Sequence, residues 1–200
     1  MSSCLELIKT AFIEREEEGL HYPCMDFTLD DYVSEMNDHQ IFVAINQGDH
    51  RLLGLTSAII LTENTHKFAL EHHSAVDPTH KGMGIGSALL TRLIEYAKDS
   101  CCDYVLATSA EKAKGSIAFH LKNGFYVIRS ASYSNTAYYS VVMRKQLRIK
   151  TRADRKWTSP FYCRLRFLNS FFRTHIMKRA NGSYSTFGKT IRILLKRDRA

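Results

Sequence analysis

Residues 74–97 read SAVDPTHKGMGIGSALLTRLIEYA: a short extended segment, a turn with glycine at every second position, and a helix. Gly82, Gly84 and Gly86 let the backbone pass close to a ligand with no Cβ in the way and turn amide N–H groups to one side. Behind them Ile85, Leu89, Leu93 and Tyr96 or Ala97 recur at helical spacing, so the turn opens onto a helix N-terminus. Free N–H groups and the positive end of the helix dipole then face one space, a cradle for an anion. Ahead of the turn, Val76-Asp77-Pro78 ends a strand, because proline brings no N–H to the ladder.

Spacing separates the phosphate-binding alternatives. A dinucleotide fingerprint needs G-x-G-x-x-G, but here the third glycine comes one residue early, and no acidic residue ends the next strand. A nucleotide P-loop needs lysine after its last glycine, and Gly86 is followed by Ser87. What remains, Lys81-Gly82-Met83-Gly84-Ile85-Gly86, resembles the acetyl-coenzyme A loop of the GNAT N-acetyltransferase superfamily, whose pattern is Gln/Arg-x-x-Gly-x-Gly/Ala, with lysine in place of the first residue. The surroundings match that order as well. Tyr104 to Thr108 reads as a buried strand, Ala113 to Lys122 as a short helix, and Asn123-Gly124-Phe125 as its stop, similar to the Gly-Phe that ends the second helix in that superfamily.

The chain of 200 residues has room for one sizeable domain and an appendage. No apolar run is long enough to span a bilayer, and Met1 to Gly19, with Glu14, Glu16, Glu17 and Glu18, does not resemble a signal peptide; a cytoplasmic location is expected. Five cysteines, Cys4, Cys24, Cys101, Cys102 and Cys163, show no C-x-x-C spacing, so neither a disulfide framework nor a cysteine zinc site is indicated. Charge is uneven. Residues 150–200 hold fourteen lysines and arginines against Asp154 and Asp198, a balance of +12, which leaves −4 of the total +8 for residues 1–149.

Along the chain, Cys4 to Glu18 is a helix candidate with Leu5, Ile8, Phe12 and Ile13 toward one face. Thr28 caps a second helix through Met36. Ile41–Ile45 and Leu52–Leu61 read as strands joined by Asn46-Gln47-Gly48-Asp49, and Lys67–Val76 as the third strand of a meander. Gly54, inside the second strand, marks a bulge or a close backbone approach. Past Phe125, a strand to about Ser132 and another from Tyr138 to Arg144 complete the sheet. The fold class expected is α/β (α+β), the GNAT fold: a mixed, mostly antiparallel sheet flanked by helices over residues 1–149. Members of the superfamily usually begin with a strand, and this chain leaves no room for one before its first helix. Residues 150–200 form a basic, aromatic extension, read as helical from Pro160, with Phe161, Leu165, Leu168, Phe172 and Ile176 on one stripe. That extension fits docking on the acidic body or a partner, RNA, or an anionic membrane surface.

The resemblance implies function as follows. Backbone groups of Ser74, Ala75 and Val76 hold the pantetheine arm and polarise the acetyl carbonyl, and the diphosphate lies over Lys81, Gly82, Met83, Gly84, Ile85, Gly86 and Ser87. No metal is needed, because main-chain amides supply the countercharge. The reaction is acetyl transfer from acetyl-CoA to a primary amine of a small molecule, a peptide or an aminoacyl-tRNA. Base candidates are Glu71, His72 and His73, with Glu71 or His72 favoured; strand alternation places Glu71 and His73 on one face and His72 on the other. Where the superfamily commonly has a tyrosine acid, this chain has His120; its cofactor-contacting asparagine falls on Ala113, and an acidic residue of some members falls on Thr108. These departures keep open a non-catalytic, acetyl-CoA-binding regulator. Ser109, Tyr133, Tyr138 and Tyr139 are candidates for the acceptor side, with sheet packing the simpler role for the tyrosines. The acceptor, the acyl length and the oligomeric state are not legible.

Overall fold

A computed structural model describes residues 1–134 and 136–148; the expected basic extension lies outside the described residues. The apolar periodicities fold into α1 (Ser2–Glu17), α2 (Leu29–Glu35), β1 (Gln40–Ile45), β2 (Leu52–Glu63), β3 (His66–Val76), α3 (Ile85–Asp99), β4 (Tyr104–Ala110), α4 (Lys114–Lys122), β5 (Tyr126–Ser132) and β6 (Tyr139–Gln146). The strands form one sheet in the order β1-β2-β3-β4-β6-β5, antiparallel except for β3 and β4. That parallel pair needs a crossover, and α3 supplies it. The first described element is a helix, as the sequence indicates.

Helices cover both faces. Leu90, Leu93 and Ala97 of α3 and Ile117 of α4 pack on Ala58, Ala69, Val105, Val127 and Met143 of the sheet. Leu5, Leu7, Ile8 and Ala11 of α1 and Tyr32 of α2 pack on Leu55 and Ala75 from the other side. Ile13, expected on the buried side of α1, is exposed, because the stripe actually buried runs through Leu7 and Ala11. Thr28 caps α2 in a reciprocal box: Asp31 N–H donates to Thr28 Oγ1 at 3.2 Å, and Thr28 N–H donates to Asp31 Oδ2 at 2.9 Å. Among the described residues no helix is long and apolar enough to cross a membrane.

Gly54 is the close approach its position in a strand suggests. A Cβ there would lie 2.8 Å from Ile85 Cγ2, 3.0 Å from Leu89 Cδ1 and 3.3 Å from the Ala75 carbonyl oxygen. Its missing side chain therefore lets the first turn of α3 sit directly on the sheet. Gly54→Val is expected to destabilise the domain by about 1–3 kcal/mol through overpacking, read as a lower urea midpoint with an unchanged m-value. A midpoint equal to that of the wild type would show that α3 is not seated this tightly.

Two local features create the cleft. First, β3 pairs with β4 only from Phe68 to Leu70, opposite Tyr104 to Leu106, after which the strands separate. Second, β3 carries one extra residue against β2: Ser57 pairs with His72 and Leu55 with Ala75, a bulge at which His73 takes a positive φ of 44°. Such a conformation is sterically costly for a side chain other than glycine's, and bulges re-aim the side chains beside them.

Candidate active site

The turn after β3 is built from short-range bonds. Asp77 accepts from Thr79 N–H at 2.9 Å and from Thr79 Oγ1 at 2.6 Å, which winds Pro78–His80 into a single 3-10 turn. Gly82 and Gly84 follow with φ of 83° and 84°, both left-handed, and Gly84 is the N-cap of α3. A Cβ at either glycine would meet nothing within 4 Å, so their requirement is conformational rather than steric. At Gly86 a Cβ would touch Phe119 and Val76 at 3.7 Å, ordinary contact. The N–H groups of Gly82, Gly84, Ile85, Gly86 and Ser87 meet no acceptor among the described residues, and Ala88 N–H is the first in α3 to bond back, to Gly84. This open row of donors fits a diphosphate. Lys81 pairs with Glu14 of α1 at 2.5 Å, tying the loop to the opposite layer, and its charge and hydrogen bond hold the Glu14 carboxyl below the usual carboxylate range. Met83, at the crest of the loop, is 70% exposed.

Where β3 and β4 part, a cavity of about 380 Å³ opens between them. Glu71, His72, His73 and Ser74 of β3 line one side and Ala107, Thr108, Ser109 and Ala110 of β4 the other. Phe12, Tyr22, Phe27, Tyr133 and Tyr138 add an aromatic wall. Tyr139, expected with them, lies in β6 opposite Ser132 and does not line the cavity.

Glu71 and His120 come together, 49 residues apart in sequence. His120 Nε2 lies 2.9 Å from Glu71 Oε2, and its Nδ1 lies 2.8 Å from the Ser116 carbonyl oxygen. A carbonyl only accepts, so Nδ1 carries a proton and the Nε2–carboxyl contact holds one more, shared between ring and carboxyl. Both residues are buried. Burial by itself lowers the His120 pKa, but the hydrogen bond and charge of Glu71 outweigh it and raise the value above the ordinary histidine range. From the other carboxylate oxygen a chain runs outward: Ser74 Oγ donates to Glu71 Oε1 and lies 2.5 Å from Thr56 Oγ1. Ser74 is exposed, so this hydroxyl connects the buried carboxyl to the open side of the cleft.

The bulge corrects the expected strand faces. His72 and His73 both point toward α2, and Glu71 alone turns to α4: the His72 and His73 rings are 4.1 Å apart, and His73 Nε2 lies 2.6 Å from Glu35 Oε2. Simple alternation fails because the extra residue advances the pleat by one position. Burial lowers the His72 pKa to about 4, helped by the neighbouring His73. Ala75 is buried against α1, and Val76 faces Gly86 on the α3 side. Sequence reasoning missed Glu35 and Thr56. Thr56 had no motif to mark it, and Glu35 reaches the site only through the register of β3.

The sequence profile described as the Acetyltransferase (GNAT) family matches residues 2–125, more than half of the chain. The protein belongs to the GNAT acetyltransferase family. No curated protein matches it significantly in sequence. Its fold resembles a crystal structure of the NatC complex bound to Gag peptide and CoA, with a TM-score of 0.58 at 18% identity over 73% of this chain and 89% of that one. It also resembles a GNAT-family acetyltransferase from Staphylococcus aureus Mu50 (TM-score 0.56, 19% identity, 74% and 92% of the chains). The PaiA N-acetyltransferase of Thermoplasma acidophilum in complex with coenzyme A gives 0.55 at 16% identity, over 73% and 92%. At these identities the likeness is one of fold. Membership in the GNAT family supports acyl transfer with acetyl-CoA as cosubstrate, and the expected sheet with helices on both faces is borne out.

Proposed function

We propose that this GNAT protein transfers the acetyl group of acetyl-CoA to a primary amine by direct attack, with Glu71 and His120 as its proton relay. The observation that carries the reading is the buried Glu71–His120 pair at the floor of the cleft where β3 leaves β4, one strand-end from the N–H row of Gly82 to Ser87. Acetyl-CoA supplies the thioester, whose carbonyl carbon the amine attacks as the C–S bond breaks. The amine must first lose a proton, and the thiolate must gain one.

Glu71 receives the amine proton through the Ser74 hydroxyl that touches it, and His120 holds the carboxyl in place and shares the proton. The proton returns to the departing thiolate by the same Ser74 route, so one proton leaves the amine and one reaches the sulfur. Burial lowers the His120 pKa, but the hydrogen bond and charge of Glu71 raise it above its usual value, so the pair holds its shared proton more firmly than a free imidazole would. His72, favoured equally by sequence, lies outside the relay: its ring packs on His39 and His73 on the α2 side, and burial lowers its pKa to about 4. Main-chain groups of Ser74 to Val76 on the edge vacated by β4 are left to bind the pantetheine arm and the carbonyl oxygen. Ala113 heads α4 as its N-cap without a side-chain bond, so the asparagine contact implied by resemblance is absent here.

A thiol-release assay over amino acids, polyamines, N-terminal peptides and aminoacyl-tRNA, with calorimetry for the cofactor, tests this. Release above the amine-free rate is expected with one of these classes. Tight acetyl-CoA binding without release would favour the regulator suggested by the replaced tyrosine and asparagine.

The pair also makes stability depend on pH in a defined direction. Because the folded pKa of His120 is raised, its contribution is fully present below the unfolded value of about 6.5 and is lost as pH rises through the folded pKa. The Tm of the wild type, relative to that of His120→Gln, is therefore expected to fall on going from about pH 6 to pH 9. A constant Tm difference across that range would show that the pair does not titrate as described.

A further inference from the structure

We propose that Glu35, His72 and His73 form a binding site for a divalent transition ion of the zinc class on the α2 side of the cleft. One carboxylate oxygen and two imidazole nitrogens, one from each residue, all lie within 4.8 Å of one another. Bonds of about 2.0–2.2 Å in a tetrahedral arrangement hold ligand atoms roughly 3.4 Å apart, so the set needs only small side-chain rotations. His73 Nε2 and Glu35 Oε2, now 2.6 Å apart, would open slightly around an ion.

A second observation points the same way. His72 Nδ1 is a buried atom with no hydrogen-bond partner among the described residues, and the His39 imidazole lies next to it. The two rings lie 5.3 Å apart, beside His73. Buried ring nitrogens are normally paired, and an unpaired one beside a carboxylate and a second imidazole is accounted for by an ion and its bound water.

The placement is rigid on both sides. The β3 bulge sets His72 and His73 side by side, and the Thr28–Asp31 box fixes the start of the helix that carries Glu35. Two imidazoles with one carboxylate suit zinc and its neighbours in the transition series, whereas magnesium and calcium prefer all-oxygen sets. All three residues line the cavity, so the remaining coordination positions face it and accept water or an incoming lone pair. The inference does not rest on the acetyl-transfer reading.

The test uses the full chain, stripped of metal and titrated with Zn²⁺ or Co²⁺ alone. One saturable site per chain is expected, with cobalt d–d absorption and no thiolate-to-cobalt charge-transfer band. His73→Ala, His72→Ala and Glu35→Gln are each expected to weaken it by roughly tenfold or more. Glu35→Gln retains a hydrogen-bonding partner for His73, so with an unchanged far-UV spectrum its loss reads coordination rather than folding. No uptake by the wild type, a thiolate band, or affinity unchanged in the variants would overturn the proposal.

Discussion

His120→Gln is expected to lower kcat by about 10²–10⁴-fold while the dissociation constant for acetyl-CoA changes by less than about threefold. Glutamine keeps an N–H donor for the buried Glu71 carboxylate, so the carboxyl is not left without a partner, but it cannot gain or lose the shared proton. His120→Phe is a poorer probe, since stranding a buried charge costs about 3–5 kcal/mol and mixes unfolding with loss of chemistry. Glu71→Gln is expected to give a defect of similar size, and the double variant little beyond either single one, because the two groups act as a unit. Thiol-release kinetics at saturating cofactor, alongside calorimetry on the same samples, give both numbers. Turnover unaffected across the pH range in both single variants would retire the relay.

The second large effect is at the loop. Gly84 holds φ of 84° as it enters α3, and a side chain there pays about 1–2 kcal/mol for the left-handed conformation, more when β-branched. Gly84→Val must either absorb that strain or move the N–H groups of Gly84 to Ser87 away from a common focus. A rise in the acetyl-CoA dissociation constant of about 10- to 100-fold is expected, equivalent to about 1.4–2.8 kcal/mol. The kcat at saturating cofactor should stay within a few-fold of the wild type, because the Glu71–His120 pair is untouched. Met83→Ala, on the exposed crest of the same loop, is the control and should bind about as well as the wild type. Equal affinity in Gly84→Val and the wild type would mean that these amides do not hold the cofactor.

What the sequence made legible follows from how local each feature is. The turn and helix of residues 74–97 are encoded by glycine spacing and a 3.6-residue period, both short-range, and they appear as read. The capping box at Thr28 and the stop at Gly124, with its positive φ of 82°, are equally local. The meeting of Glu71 with His120 was visible only as two separate candidates, since nothing in either segment records that α4 lays its last turn against β3.

The face of His73 was misread for a related reason. Alternation is a property of an unbroken strand, and the bulge that reverses it depends on where β2 sets its register against β3, a pairing between residues 15 to 20 apart. Glu35 became part of the site by the same displacement, because only a His73 turned toward α2 can reach it. A lone acidic residue late in a short helix carries no signal of that kind.

The central claim is that main-chain donors between Gly82 and Ser87 grip the diphosphate of acetyl-CoA and deliver its sulfur to the cleft beside Glu71 and His120. A crystal structure of the full chain with coenzyme A tests it most directly. The account predicts diphosphate oxygens within hydrogen-bond distance of those N–H groups and the thiol between the separated ends of β3 and β4. A diphosphate bound elsewhere, or a thiol directed away from the Glu71–His120 pair, would contradict it.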